Sequence, residues 1–510
     1  MNDMILNRKQ SVFLFLGLVI IYVLAWCMQS QLLIKGDVSW LMHLSRELIR
    51  GDGYHGNILE INPPLTIFIY TPEIIFTRYF AVSHIIGIRI VMFVYATFSL
   101  FLCYRLLRLI LHKEDTMLFL CVIWVLSFVD LILPVTEFGQ RECVMFYFSV
   151  PYFLLITARL EKKSIPRGNA LLIGMVSGIG FLVKPFFILS FLLAESYAIL
   201  FSRNRLAVFR AEVIAVILFM LFYLAATWIF FPYYFTHIIP MASHFYYQDV
   251  GHGYLGLIAF QLVLIVLMTY FFYFLAFKKN PYRTLTTVLL FAFTGCFLAY
   301  IIQKMPWYYH ILPALSFSVF IDTFLLFVFL RSSDFEKWIQ YSIVSLACVF
   351  FILFVANLFH IGVRQKKLTK PLVQYIHQHA FHQPVYFLSA YAAYMISIFE
   401  EAGAFPASRL TYLGWLRNAY KTGYVQHWTD REKAMNLYFA GILADDLNHK
   451  KPRLIFVDQN CIQQEGDRCQ RVPYVMILSM NPVFRAAWKP YHLIDTLHEK
   501  NAYDYDVYAR

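Results

Sequence analysis

Charged residues are scarce in this sequence. Only 15% of its 510 residues are Asp, Glu, Lys or Arg, whereas 60% are hydrophobic. A soluble protein of this size carries about a quarter charged residues. The shortage excludes an ordinary soluble globular protein and indicates a chain that crosses a membrane several times.

Motifs of several energy-using and hydrolytic enzymes are also missing. The sequence has no phosphate-binding P-loop, no glycine-rich dinucleotide motif, no His-Glu-x-x-His and no Gly-x-Ser-x-Gly. It has no internal repeat and, despite a net charge of +12, no nucleic-acid-binding motif. The energy for any reaction must therefore arrive within the substrate.

Long apolar runs are what the chain does have. A helix that spans a bilayer needs about 20 apolar residues, and several runs are long enough. The first follows Arg8 and Lys9 and has no small-residue cleavage site behind it, so we interpret it as a retained signal-anchor helix. The predicted spans are 11–29, 84–110, 116–134, 142–159, 168–183, 185–201, 207–231, 255–277, 284–303, 308–330 and 338–360.

Basic residues give the predicted orientation of these spans. They concentrate in alternate connections, and placing all of those in the cytoplasm satisfies the positive-inside rule. The N-terminus is then cytoplasmic and the C-terminus lies outside. Segment 63–80, with its prolines and Glu73, is predicted to lie at the membrane interface instead of crossing. The basic connections are 7–9, 105–113, 159–167, 203–210, 278–283 and 331–337.

The predicted fold class is a polytopic α-helical membrane protein with about 11 spans. Residues 1–360 form the transmembrane domain, and the first external loop, 30–83, contains interfacial helices. Residues 361–510 are more polar and alternate strand-like with helix-like runs, which predicts a soluble periplasmic α/β domain. Cys461 and Cys469 lie there, and both a disulfide and two unpaired thiols remain open.

Asp37 is the first candidate for chemistry. It follows the first span directly, on the predicted outer face, in Lys35-Gly36-Asp37. A carboxylate at this place can act as a general base on an acceptor hydroxyl. The alternative is an N-cap for the amphipathic stretch 38–50, where Asp is favoured.

Carboxylates also occupy two other predicted outer segments. Glu60 lies in Glu60-Ile-Asn-Pro-Pro-Leu, where the double proline stiffens the chain, and a structural turn is the alternative. The connection 136–142 contains Glu137, Gln140, Arg141 and Glu142. Snorkelling at the membrane surface explains part of this set, but the density of ionisable and amide groups favours a functional role.

Two lysines are candidates for binding an anion. Lys304 lies on the predicted outer side, beside an aromatic run that includes Tyr308 and His310. A lone cation there can bind a phosphate at headgroup depth, whereas an aromatic belt with one anchoring lysine is the alternative. Lys184 is a weaker second cation. Arg89 lies inside an apolar span, where it is costly in lipid, and both a structural and a functional role for it stay open.

Histidine and tyrosine are frequent in the predicted outer loop 232–254. Its aromatic side chains could stack on sugar rings or line a lipid groove. His237, His244 and His252 lack the tight spacing of metal ligands. No metal site is therefore predicted from them.

These features together resemble the GT-C superfamily of integral-membrane glycosyltransferases. Members take a sugar from a polyprenyl-phosphate carrier and transfer it on the outer side of the membrane. The acidic residue after the first span, Asp37, is a shared feature. The Glu60-Ile-Asn-Pro-Pro-Leu element is similar to the Glu-x-Pro-Pro-Leu of the protein O-mannosyltransferase-like and aminoarabinose-transferase-like branch. The Lys304…Trp-Tyr-Tyr-His-Ile-Leu-Pro turn resembles a late external loop of bacterial members.

The resemblance implies a role for each candidate residue. Asp37 would be the catalytic base, and Glu60 or Glu137 would assist it or orient the acceptor. Three cations would neutralise the phosphate leaving group: Arg141, Lys184 and Lys304. Four further residues would line the substrate: His55, Gln140, Tyr308 and His310.

One departure from the family concerns metal ions. Some members carry an Asp-x-Asp or Asp-Glu pair in the first loop, tied to a divalent cation. In this chain Asp37 is followed by Val38, Ser39 and Trp40. The departure favours the protein's own cations as phosphate partners. No cofactor is predicted, and metal dependence stays open.

The predicted partners are a polyprenyl-phosphate sugar donor, a hydroxyl acceptor in the cell envelope and the lipid bilayer, without nucleic acid. A lipid-linked-sugar flippase is an alternative, but it would be expected to have inverted repeats and ionisable sites near the midplane. An O-antigen polymerase or ligase would keep its catalytic loop late in the chain. The outward segments contain no Asn-x-Ser/Thr, which favours a bacterial inner membrane.

Overall fold

The computed structural model is mostly helical. It describes residues 6–54, 58–202, 209–245, 254–304, 307–332, 336–390, 395–410, 413, 416, 428–460, 463–465, 468–500 and 502–510. The helices of the first part are α1 (Arg8–Ser30), α2 (Gly36–Ile49), α3 (Leu65–Phe68), α4 (Pro72–Phe80), α5 (His84–Ile110), α6 (Thr116–Leu131), α7 (Arg141–Leu160), α8 (Arg167–Leu182), α9 (Ile188–Ser202), α10 (Ala211–Phe230), α11 (Ile239–Phe245), α12 (Tyr254–Ala276), α13 (Arg283–Gln303), α14 (Tyr308–Ser332) and α15 (Lys337–Ala380).

The apolar helices coincide with the predicted spans. Within the described ranges, eight helices are long and apolar enough to cross a membrane, and α6, α8 and residues 265–276 of α12 are shorter apolar helices. Segment 63–80 instead folds as α3, of four residues, and α4, of nine. Neither is long enough to cross a bilayer, as predicted.

The centre of the bundle is α7, whose residues from Cys143 to Ala158 are all buried. Small residues let its neighbours approach one another closely, which is a common device where helices pack in membranes. A Cβ atom at Gly174 of α8 would lie 2.4 Å from the carbonyl oxygen of Glu212 in α10. A Cβ atom at Gly295 of α13 would lie 2.3 Å from the Cα atom of Ser190 in α9.

The two ends of the bundle carry different sets of ionic contacts. We call the end where α1 finishes and α7 begins the site end. At the opposite end Arg159 pairs with Glu212 at 3.2 Å, and Arg331 pairs with Asp115. Both arginines belong to the basic connections predicted from the sequence. Arg89 of α5 donates to the carbonyl oxygen of Leu32 at 2.9 Å, which gives it a structural contact just before α2.

The C-terminal part is built on a sheet. Its helices are α16 (Met395–Ala402), α17 (Asp430–Lys450), α18 (Tyr474–Leu478) and α19 (Pro482–Trp488), and its strands are β1 (Pro384–Leu388), β2 (Phe405–Pro406), β3 (Leu454–Asp458), β4 (Gln463–Glu465), β5 (Arg468–Gln470), β6 (His492–Glu499) and β7 (Tyr503–Ala509). Described strands form a sheet in the order β2-β1-β3-β7-β6, and β4 pairs with β5. The first three strands are parallel, and β7 is antiparallel to both neighbours. In β3 every residue is buried, as is typical of a strand covered on both faces.

This sheet packs on the helix bundle. Phe387, Phe456 and Tyr505 share a buried cluster with α15, α16 and the membrane helices. The other face of the sheet has its own core beneath α17, α18 and α19. Helix α15 runs without a break across residue 361, and the sheet begins only at Pro384. Cys461 and the side chain of Cys469 lie outside the described residues, so the disulfide stays a prediction.

Candidate active site

Helix α2 places Asp37 at the site end of the bundle. Lys35 occupies the N-cap position, and Asp37 lies in the first helical turn. The alternative that Asp37 is the N-cap of this helix is therefore wrong. A carboxylate in the first turn is favoured by the helix dipole, and its side chain remains 46% exposed. Asp37 can thus meet a ligand while its backbone is fixed.

The connection between α6 and α7 faces Asp37. It passes through a short 3-10 helix, Val135–Glu137, and Gly139 has a φ of 88°, a conformation that favours glycine. The hydroxyl group of buried Tyr70 donates to the carbonyl oxygen of Gly139 at 2.8 Å. Arg141 then opens α7, and its Nη2 donates to Asp37 Oδ2 at 3.2 Å.

Two further ion pairs flank the contact between Arg141 and Asp37. Lys35 Nζ lies 2.8 Å from Glu137 Oε1. Lys184 Nζ pairs with Glu142 and donates to Gln303 Oε1 at 3.2 Å. The ammonium group of Lys184 also lies 5.2 Å from the ring centroid of Tyr309. Three cations and three carboxylates are therefore collected from segments that are far apart in sequence.

Burial shifts the pKa values of this cluster. Desolvation raises the pKa of Glu137, and the charge of Lys35 opposes that shift. Desolvation lowers the pKa of Lys184 to about 8, although the neighbouring Glu142 carboxylate acts in the other direction. Lys184 can therefore lose its charge within a few units of neutral pH.

Glu60 is more buried than Asp37, and both of its carboxylate oxygens accept hydrogen bonds. Oε2 accepts from Trp40 Nε1 at 2.8 Å, and Oε1 accepts from the backbone N–H and the side-chain amide of Asn62. Desolvation raises its pKa, while the Asn62 hydrogen bonds and the charge of Arg141 lower it. The link to Trp40 ties Glu60 to α2, the helix that carries Asp37.

Several buried polar atoms of the connection between α6 and α7 have no hydrogen-bond partner among the described residues. They are both amide atoms of Gln140, Nε and Nη1 of Arg141, and one carboxylate oxygen each of Glu137 and Glu142. Gln140 is fully buried. More than nine in ten buried polar groups are normally paired, and leaving one unpaired costs about 1–3 kcal/mol. Such a concentration within residues 137–142 is typical of a site that receives a polar ligand.

An apolar cavity of about 350 Å³ lies beside the Glu60 loop. Tyr54 lies on its wall and contacts the ring of Tyr234 at a centroid distance of 5.7 Å. The hydroxyl group of Tyr234 donates to the carbonyl oxygen of Ile61 at 3.2 Å. The cavity is lined by Leu48, residues 51–54, Phe68, Phe230 and Phe231. Its size suits a small ligand or part of a long chain.

The remaining predicted site residues lie in different surroundings. Tyr308 donates to the carbonyl oxygen of Leu133 at 2.9 Å, and His310 is buried in the same helix, α14. Lys304 is exposed at the C-cap of α13, next to the Gln303 that contacts Lys184. The structure does not join Lys304 to the ion-pair cluster by any salt bridge between described residues. His55 lies outside the described residues.

The prediction overlooked two members of the cluster. Lys35 and Gln303 were not singled out, yet each contacts a candidate: Lys35 pairs with Glu137, and Gln303 accepts from Lys184. Lys35 carried a usable signal, because it is a cation on the predicted outer side, directly before Asp37. Among the described residues, no group of three or more His, Cys, Asp or Glu is arranged to hold a metal ion.

Comparisons with known proteins support the fold. No family model and no curated protein sequence matches the chain. ArnT from Cupriavidus metallidurans bound to undecaprenyl phosphate superposes with a TM-score of 0.57 at 11% sequence identity. The apo state of that protein gives a TM-score of 0.59, also at 11% identity. Each superposition covers 98% of both chains. The chain thus has the fold of ArnT over 98% of its length, which confirms the predicted fold class.

Proposed function

We propose that this chain, which has the ArnT fold, is a glycosyltransferase of the bacterial inner membrane. It would move a sugar from a polyprenyl-phosphate carrier to a hydroxyl acceptor on the periplasmic face. The observation that carries the proposal is the set of unpaired buried polar atoms at residues 137–142, next to Asp37. The undecaprenyl phosphate bound to the similarly folded ArnT supports a lipid-phosphate donor.

The chemistry follows from how Asp37 and Arg141 differ in exposure. Asp37 is half-exposed and can take the proton of the acceptor hydroxyl while the hydroxyl oxygen attacks the anomeric carbon of the donor sugar. The bond from that carbon to the phosphate oxygen breaks, and polyprenyl phosphate leaves. Arg141, whose Nε and Nη1 have no partner among the described residues, and Lys184 stabilise the charge that develops on the phosphate.

The other residues hold or complete this arrangement. Glu60 positions α2 through Trp40, and Glu137 keeps Lys35 beside the first turn of α2. Gln140 offers both a donor and an acceptor to the sugar or the phosphate. The apolar cavity beside Tyr54 would receive a lipid chain.

The test is to supply purified protein with a panel of polyprenyl-phosphate sugars and to follow release of the polyprenyl phosphate. Wild type should consume one donor, and Asp37→Asn should lower kcat by about a hundredfold or more, because a general base contributes about 10²–10⁴-fold. Asp430→Asn, at the exposed start of α17, is the matched control. Unchanged turnover of Asp37→Asn would remove Asp37 as the base. Transport of a donor without chemical change would contradict the proposed glycosyltransferase activity.

A further inference from the structure

A second ionic cluster joins the C-terminal part to the helix that carries Asp37. Arg46, in the last turn of α2, pairs with Glu400 of α16 and lies 3.3 Å from Glu73 of α4. Glu73 is fully buried and also contacts His84 Nδ1 at 2.9 Å. The side chains of Arg46 and Glu400 are only 14% and 11% exposed. Desolvated pairs of this kind are screened by water and salt much less than surface pairs.

Arg46 lies on the side of α2 that faces away from Asp37. It follows Asp37 by about two and a half turns at 3.6 residues per turn, which places the two side chains on opposite faces. Asp37 and its Arg141 contact therefore look to one side of α2, and the Arg46 contacts look to the other. Helix α2 is held between the α7 start and α16.

Apolar packing alone specifies the position of α2 less sharply than this ion pair does. Trp40, Leu41 and Leu44 are buried, but hydrophobic contact is non-directional and tolerates small shifts along the helix axis. A guanidinium group that donates to two carboxylates has a defined geometry. It therefore resists rotation and sliding of α2.

We propose that Glu400 is a positioning residue, which acts through Arg46 to fix α2 and hence Asp37 relative to Arg141. The C-terminal part is then a working part of the active site and not an appended domain. The inference rests on the proposed function, since its consequence is measured on the transfer reaction. Misplacing a reacting group by about 1 Å can cost about a hundredfold in rate, so small shifts of α2 matter.

The neighbouring residue provides a matched control. Glu401 is also in α16 and also forms a salt bridge, but its partner is Lys366 of α15 at 3.1 Å. Glu400→Gln and Glu401→Gln thus remove the same charge from the same helix. Only the first removes a contact with α2.

The experiment compares these variants in the full-length protein. Glu400→Gln should lower kcat about tenfold and leave the KM for the donor within about twofold, while Glu401→Gln keeps both near wild type. Glu400→Asp should restore part of the loss. In an Arg46→Gln background, Glu400→Gln should cause no further decrease, because the contact is already gone.

A second measurement does not depend on activity. Hydrogen–deuterium exchange of the α2 amides, residues 36–49, should be faster in Glu400→Gln than in Glu401→Gln. Equal kcat and equal exchange in the two variants would overturn the positioning role, even if Asp37→Asn abolishes transfer. If wild type consumes no polyprenyl-phosphate sugar, the proposed function fails, and the exchange comparison still decides the role of Glu400.

Discussion

At the scale of residues, the site is defined by unequal exposure within pairs. Arg141 is buried, whereas the Asp37 carboxylate that it contacts is half-exposed. The desolvated guanidinium can stabilise a developing anion strongly, and the accessible carboxylate can meet the acceptor. In the proposed mechanism, the pair would divide the work of the reaction between a buried cation and a half-exposed base.

Arg141→Lys should lower kcat by about 10–1,000-fold. Lysine keeps the positive charge but loses the planar fork, in which Nη2 contacts Asp37 while Nε and Nη1 have no described partner. Steady-state turnover with the donor measures the effect. Arg50→Lys, at the exposed end of α2 where Arg50 pairs with Glu47, is the control. Wild-type turnover by Arg141→Lys would contradict the role assigned to the fork.

The lowered pKa of Lys184 predicts a pH dependence. Because that pKa is about 8, kcat/KM should fall as pH rises through about 8 and the ammonium charge is lost. The pH dependence of stability has the opposite sign. The unfolded lysine keeps its proton up to about pH 10.4, so the free energy of unfolding should increase as pH rises from about 8 to about 10.4.

The pH profile of Lys184→Arg should lack this alkaline decrease, since arginine stays charged. Lys35→Arg, which changes the cation paired with Glu137, should retain it. The comparison requires kcat/KM over a pH series for all three proteins. An unchanged alkaline limb in Lys184→Arg would rule out Lys184 as its source.

At the scale of elements, the site depends on helix ends and connections meeting at one end of the bundle. The 137–142 connection is held by Tyr70, the Glu60 loop by Tyr234, and the end of α13 by the contact of Gln303 with Lys184. These connections are positioned by helices that pack closely. The close contact of α8 with α10 lies toward the opposite end, where Glu212 pairs with Arg159, and it contributes to the packing of the bundle as a whole.

Gly174→Ala should destabilise the protein by about 1–3 kcal/mol, the usual cost of overpacking. The added Cβ would lie 2.4 Å from the Glu212 carbonyl oxygen and 2.8 Å from the Cβ of Ala215, so α8 and α10 must move apart. Thermal unfolding in detergent measures the loss. Gly168→Ala in the same helix is the control, since nothing lies within 4 Å of a Cβ there. An equal Tm for the two variants would contradict the packing argument.

At the scale of the whole molecule, the two ends of the bundle carry different sets of charged residues. The site end collects Asp37, Arg141 and Lys184, and the opposite end carries the pairs of Arg159 and Arg331. The basic connections at that opposite end predict that it faces the cytoplasm. The C-terminal sheet, packed at the site end, would then lie in the periplasm.

Reporter fusions should reveal this orientation. Alkaline phosphatase fused after residue 510 should be active, because it folds only outside the cytoplasm, and green fluorescent protein inserted in connection 159–167 should fluoresce. Both results depend on segment 63–80 not crossing the membrane, as the short helices α3 and α4 indicate. The reverse pattern at both positions would contradict the predicted topology.

The sequence indicated candidate site residues but not their partners. Asp37 and Arg141 were singled out because ionisable groups at the end of an apolar span are costly unless they have a role. The pairing of Lys184 with Glu142 was not foreseeable, because 42 positions separate them and nothing local requires their contact. Glu60 was predicted as a catalytic residue, and the structure adds that Trp40 and Asn62 occupy its oxygens.

The sequence by itself determined the helices, their order and the polar C-terminal part. Lipid leaves no water to satisfy backbone groups, so each long apolar run must form a helix. The hydropathy of a run is a property of its local sequence. Only the tertiary structure decided which ionisable groups meet. Contacts such as Arg46 with Glu400, 354 positions apart, depend on how the helices and the sheet pack. Packing is set by side-chain shapes over the whole molecule, which no local pattern records.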